Sequence, residues 1–287
     1  MSHQNTLQSP RILRTAARKL AAAPLSAKFG VAVIALYALT ALLAPYLVRY
    51  GEAEIVGMQF EPWSARFWFG TDDLGRDMFT RIVFGARNTI GIALMTTSLA
   101  FFIGAFAGLA AAAFSGWTDQ ILSRLVDLMM AIPLLIFALL LLSIFGTSIP
   151  TLIMVIAVLD STRVFRLTRA LSINVAVSDY VEVARLRGEG AIWIMTREIL
   201  PNIMPTLIAE FGLRFCFVFL LISGLSFLGI GIQPPTADWG SMVRETAALI
   251  TYGDITPLVP AGAIAVLAIG VNLVVDWFLQ SASGLKD

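Results

Sequence analysis

The chain has 287 residues, 58% of them hydrophobic and only 14% charged, with a net charge of +1. Soluble domains carry about 25% charged residues, so this is a membrane composition, and no basic excess exists to neutralise nucleic-acid phosphates. Cys216 is the only cysteine and His3, in a polar N-terminal stretch, the only histidine, which leaves almost no material for disulfides, metal centres or nucleophilic catalysis.

Residues 1–28 read as a basic cytoplasmic segment. In "RILRTAARKLAAAP" Ile12, Leu13, Ala16, Ala17 and Leu20 fall at helical spacing, as for a helix lying on anionic lipid, with a disordered basic tail as the competing reading. The apolar stretch that follows exceeds the about 7 to 15 residues of a cleaved signal core, so it reads as an uncleaved anchor.

A helix needs about 20 apolar residues to cross about 30 Å of hydrocarbon. Six segments approach that length: 29–48, 89–114, 125–145, 150–164, 206–229 and 260–280. The expected fold is therefore all-α, an integral membrane protein of about six spans, with the transmembrane domain over 29–280. Pro150 suits a first helical turn, and Pro133 should kink the third span. With the N-terminus inside, the inner segments hold thirteen Lys/Arg and the outer ones six, which places both termini in the cytoplasm. The loops at 49–88 and 230–259 are then outside, and the loop at 165–205 and the tail at 281–287 inside.

In the first outer loop, Thr71-Asp72-Asp73 and Gly75-Arg76-Asp77 form a turn-rich charged cluster, read as a capped helix start. Arg76 and Asp77 are placed for an exposed ion pair, worth under about 1 kcal/mol. The glycines and alanines of "GAFAGLAAAAF" (104–114) permit close helix packing. Asp160 and Asp276 lie near inner span ends and reach water. Glu210 and Arg214, four apart on the fifth span, share a face as a candidate intramembrane ion pair.

The inner loop contains "DYVEVARLRGEGAIWIMTREILPN" (179–202), charged every few residues. Asp179 with Glu182 reads as a reciprocal cap, Val181, Ala184 and Gly188 as one face, and Gly188-Glu189-Gly190 as the end of a first short helix. Ile192, Met195 and Ile199 line a second helix that stops before Pro201. In the last outer loop, the prolines of "QPPTADWG" (233–240) stiffen the backbone, and Trp239 suits a membrane–water boundary.

The string Glu182-Val183-Ala184, then Gly188, then Ile199-Leu200-Pro201 resembles the "EAA" loop of permease subunits of binding-protein-dependent ABC importers. Val183 replaces the usual alanine, and Glu198 stands where many members have an apolar residue. "FGTDDLGRDMFTRIVFGARNTI" (69–90), "DLMMAIPLLIFALLLL" (127–142) and "LSFLGIGIQPPTADWGSMV" (225–243) are similar to blocks of the dipeptide, oligopeptide and nickel group, and the likeness covers about residues 29 to 285. The chain resembles the shorter, C-type permease of that group's heterodimer.

The resemblance implies the type I importer permease fold in a bacterial inner membrane. Glu182, Ala184, Gly188, Leu200 and Pro201 would couple to an ATPase. Asp72, Arg76, Asp77, Pro234 and Trp239 would belong to the periplasmic loops that a binding protein meets. The implied partners are a second homologous permease, one or two ABC ATPase subunits, an extracytoplasmic solute-binding protein and membrane lipid. Peptides come first as solute on group frequency, with nickel chelates and other small solutes as alternatives. No GxxxxGK[ST] occurs, and "GLSFLGIG" lacks the lysine, so no nucleotide or other cofactor is expected here and ATP with Mg would bind the partner ATPase. A secondary transporter would want more intramembrane charge and an internal repeat.

Overall fold

A computed structural model describes residues 23–283. The basic stretch at 11–20 and the last four residues lie outside that range. Within it the chain is helical apart from loops and two isolated bridges, Ile55 with Arg76 and Thr71 with Asp77.

The long helices are α1 (Leu25–Leu47), α2 (Met78–Phe114), α3 (Gly116–Met130), α4 (Leu134–Phe145) and α5 (Ile149–Ala176). Then come α6 (Asp179–Leu186), the single turn α7 (Ala191–Trp193), a π-helical stretch (Ile194–Ile199) and α8 (Leu200–Phe227). Last are α9 (Trp239–Thr246), a 3₁₀ turn (Ala247–Tyr252) and α10 (Leu258–Ser283).

Four of these helices are long and apolar enough to cross a membrane: α1, α2, the run 191–227 and α10. Helices α3 and α4 add a fifth if they form one span broken by 88°. Pro133 thus ends one helix and precedes another, a sharper event than the expected kink, because it has no N–H to continue the ladder. Helix α5 is 28 residues long, but Asp160, Arg163, Arg166 and Arg169 interrupt its apolar run, so of the six expected spans this one is the least lipid-like. Its helix also continues well past the expected end near residue 164.

Two helix starts show why boundaries moved. Asp77 caps α2, accepting from the Thr80 backbone N–H at 2.9 Å, so the second long helix begins eleven residues before the apolar run does. Ser148 caps α5 and Pro150 occupies its first turn, where a missing donor costs nothing.

Helices α2 and α5 form the spine. A Cβ at Gly104 would lie 2.4 Å from the Ser161 carbonyl oxygen, and one at Gly108 2.8 Å from the Thr168 Cβ, so the two backbones touch where the small residues stand. Helix α1 meets α10 in the same way, Gly30 against the Gly270 carbonyl.

The main core joins α2, α4, α5, α8, α9 and α10 around Phe219, Ile222, Leu225 and Trp239. A second core at the other end gathers Leu109, Ala176, Val181, Ala184, Ile199 and Ile203, which seats the segment 177–199 under the helices. That segment and the loops 48–77 and 228–257 therefore lie at opposite ends of the bundle.

Candidate functional site

Segment 177–199 hangs between α5 and α8. Ser178, not Asp179, is the N-cap of α6, and it makes no side-chain capping bond, so the expected Asp179–Glu182 cap does not form. The acids stand instead in the first helical turn, where they meet the positive end of the helix dipole. Val181 and Ala184 are fully buried against the second core. Glu182 and Gly188 are exposed, and with Leu186 82%, Ile192 72% and Val183 52% exposed they make an outward apolar face around one carboxylate. Ala184 thus anchors the hairpin rather than presenting it.

Gly188 has φ +82°, a left-handed turn that glycine adopts without penalty, and a Cβ there would touch nothing within 4 Å. The second helix does not stop at Pro201. The Leu200 N–H bonds the Met195 carbonyl in a widened π turn, and the chain runs on into α8 with Pro201 in its first turn. The wider turn relieves the clash a proline makes with the carbonyl four residues back. Leu200 packs on the second core, while Ile192 faces solvent and leaves Met195 and Ile199 as the buried pair.

Midway along the bundle, Arg214 Nε lies 2.8 Å from Glu210 Oε1 on its own helix, the expected pair. Sequence spacing did not reveal the third member: Asp160 on α5, wholly buried, with Oδ1 3.6 Å from Arg214 Nη1. Arg163 and Arg214 both place guanidinium groups over the Phe217 ring, at 4.6 and 5.2 Å.

At the opposite end the charged loop is folded inward. Arg76 pairs with Asp72 at 2.6 Å, both side chains buried, and not with Asp77, which is occupied as the α2 cap. Arg81 donates to the same Asp72 carboxylate and, at 3.0 Å, to Glu245 on α9. Asp72, Asp73 and Glu245 approach within 4.8 Å of one another, but the two guanidinium groups occupy the space between them. Burial pushes the Asp72 carboxyl up, yet the Arg81 charge and the Arg76 N–H outweigh it and hold it below its ordinary value. For Glu245 burial wins over Arg81, and its carboxyl is raised.

Trp239 is 1% exposed, a core residue and not a boundary anchor. Its Nε1 donates to the Ile82 carbonyl at 2.9 Å, and its ring crosses Tyr37 and Phe219 edge-on beside Gly85. Asp238 caps α9 and accepts from Thr89 at 2.9 Å, and burial raises its carboxyl despite these donors. Of the five loop residues singled out by sequence, Asp72, Arg76, Asp77 and Trp239 are buried, and Pro234 alone offers surface. The four buried residues hold these loops together.

Residues 100–282 match the family model of the binding-protein-dependent transport system inner membrane component. The chain is 32% identical over 259 residues to a dipeptide transport system permease protein DppC of Alkalihalophilus pseudofirmus, covering 90% of this chain and 83% of that one. It is 34% identical over 263 residues to a putative peptide transport system permease protein of Brucella suis, covering 91% and 86%. A solved amino acid ABC transporter with histidines superposes with a TM-score of 0.53 at 19% identity, over 71% of this chain and 94% of that chain, a likeness of fold. With its helical bundle and its spanning helices, this chain belongs to the family of inner-membrane components of binding-protein-dependent transport systems.

Proposed function

We propose that the chain is one half of the permease of an ATP-driven peptide importer and that segment 177–199 is its contact with the ATPase. The observation that carries this is the hairpin's two-sidedness. Val181, Ala184 and Ile199 root it in the bundle, while Glu182, Val183, Leu186 and Ile192 stand exposed on its far side. Exposed apolar residues around a charge, at the wet end of a membrane bundle, suit a protein partner. Peptides as the solute rest on the names of the relatives from Alkalihalophilus and Brucella.

In this reading a second, similar permease completes the pathway, and a periplasmic binding protein delivers the peptide. ATP and Mg bind the partner ATPases, whose closure moves Glu182 and Gly188 and, through them, α5 and α8. The two permease halves then rock between inward-open and outward-open states. The contact with the binding protein falls to Pro234 and exposed neighbours such as Trp68 and Tyr252. Both termini lie in the cytoplasm.

Gly188→Asp tests the coupling role. Asp tolerates the left-handed turn, and its side chain meets open space in this chain, so insertion and abundance should match wild type. Uptake of labelled dipeptide should be abolished, because the new carboxylate intrudes on the ATPase. Full uptake by that variant would overturn the assignment.

A further inference from the structure

Resting on that reading of segment 177–199, we propose that Arg214 is a latch between α5 and α8. Exchange of its guanidinium between Glu210 and Asp160 carries movement of the segment into the membrane bundle. The segment is covalently rooted at both ends. Asp160 lies seventeen residues before Val177 and Glu210 eleven after Ile199, or about 25 and about 16 Å along a helix. Among the described residues, the one cluster of opposite charges joining these two helices is therefore set above the segment, astride both of its roots. The π turn and the prolines at 201 and 205 give α8 a compliant root, so displacement of the segment reaches the two helices unequally.

The cluster is poised rather than locked. Arg214 Nη1 lies 3.6 Å from Asp160 Oδ1, just beyond hydrogen-bond range, and its Nε, though 2.8 Å from Glu210 Oε1, is not aimed along a hydrogen bond. Among the described residues, then, neither buried Asp160 oxygen is held by a directed bond. Close charges without directed bonds are attracted but not held in one geometry, and a buried carboxylate left this way is costly. An arrangement with Arg214 turned fully onto Asp160 satisfies that carboxylate and releases Glu210, which is 22% exposed and finds water. Phe217 offers its ring to the guanidinium, with Arg163 from α5 already on it. The structure thus holds one of two pairings, and the segment's position selects between them.

The test uses the complete importer with its partner subunits in proteoliposomes, reading ATP hydrolysis and labelled dipeptide uptake together. Asp160→Asn removes a carboxylate that no hydrogen bond holds, so it should melt no lower than wild type. It leaves Arg214 no carboxylate on α5 to turn onto, so ATP hydrolysis without binding protein should rise while uptake per ATP falls about fivefold or more. Glu210→Gln leaves Arg214 a single charged partner and locks the helices, so hydrolysis and uptake should fall together with uptake per ATP preserved. These opposite signatures separate a latch from a structural pair, for which both variants would melt lower and lose hydrolysis and uptake in parallel. Unchanged uptake per ATP in Asp160→Asn would overturn the latch. Gly188→Asp runs beside them: if it keeps full uptake, the coupling reading fails and the latch with it. If it loses uptake while Asp160→Asn stays coupled, the latch alone fails.

Discussion

Asp72 and Glu245 share two arginines, yet they play opposite electrostatic parts. Asp72 accepts from Arg76 and Arg81 and from the backbone N–H groups of Leu74 and Arg76. Its depressed carboxyl stabilises the fold above its ordinary value of 3.8, and that support is lost as pH falls through the folded value. Asp72→Asn removes the carboxylate nearest both buried guanidinium groups, leaving Arg81 only Glu245 and Arg76 only the longer contacts to Asp73 and Glu245, and should cost about 3 kcal/mol near neutral pH. Glu245 carries a raised carboxyl, so it favours the fold most below 4.5 and loses that advantage as pH rises through the folded value. Glu245→Gln keeps an acceptor for Arg81 and should stay within about 1 kcal/mol of wild type, gaining on it as pH climbs from mildly acid to neutral. Melting curves in detergent from acid to neutral pH check both signs. Equal losses for the two variants at neutral pH would mean that Arg81 depends on them alike.

At the scale of elements, the helices were legible from apolar run length, but their ends and roles were not. The start of α2 is set by Asp77, polar and well before the apolar run, and α5 continues through three arginines because Gly104 and Gly108 let α2 lie against it. Hydropathy sees neither a cap nor a contact. The glycine-rich stretch read as a packing surface, and it is one. The hairpin's glycine turn was also legible, whereas the π turn that carries the chain past Pro201 depends on hydrogen bonding that no residue pattern announces. The loop charges were read as surface because nothing in their spacing reveals Arg81 and Glu245 closing over them. Asp160 escaped pairing because its partner is 54 residues away on another helix.

Two glycines on α2 turn the packing argument into a measurement. A Cβ at Gly104 collides with the α5 backbone, so Gly104→Ala should destabilise by about 1 to 3 kcal/mol through forced separation of the spine. Gly91 sits in the same helix with nothing within 4 Å of its Cβ position, so Gly91→Ala should stabilise by about 0.5 to 1 kcal/mol through reduced unfolded-state entropy. Thermal unfolding of both variants in one detergent settles it. A matching gain at Gly104 would show that α2 and α5 have slack at their crossing.

The described part of the molecule has two ends of different character, and the proposed orientation gives each a side of the membrane. One end carries the outer-loop frame knitted to α2: Trp63 Nε1 donates to Thr256 at 2.8 Å, and Asn88 to the Ala237 carbonyl at 3.0 Å. The other carries the hairpin and the arginines at the foot of α5. The proposed orientation, with the side richer in lysine and arginine inside, thirteen against six, puts the hairpin end in the cytoplasm. Thiol labelling decides this without altering the fold. Cys216 is the only native cysteine and is 5% exposed, so the unmodified chain should label weakly with a membrane-impermeant maleimide. Leu186 and Tyr252 are 82% and 85% exposed at opposite ends, so a cysteine at either costs little packing. Tyr252→Cys should label in intact spheroplasts, and Leu186→Cys only in inverted vesicles. The reverse pattern would place the hairpin outside, beyond reach of a cytoplasmic ATPase. Labelling of both residues from one side would break the assignment of these ends to opposite faces, and with it any model in which force enters at one end and solute at the other.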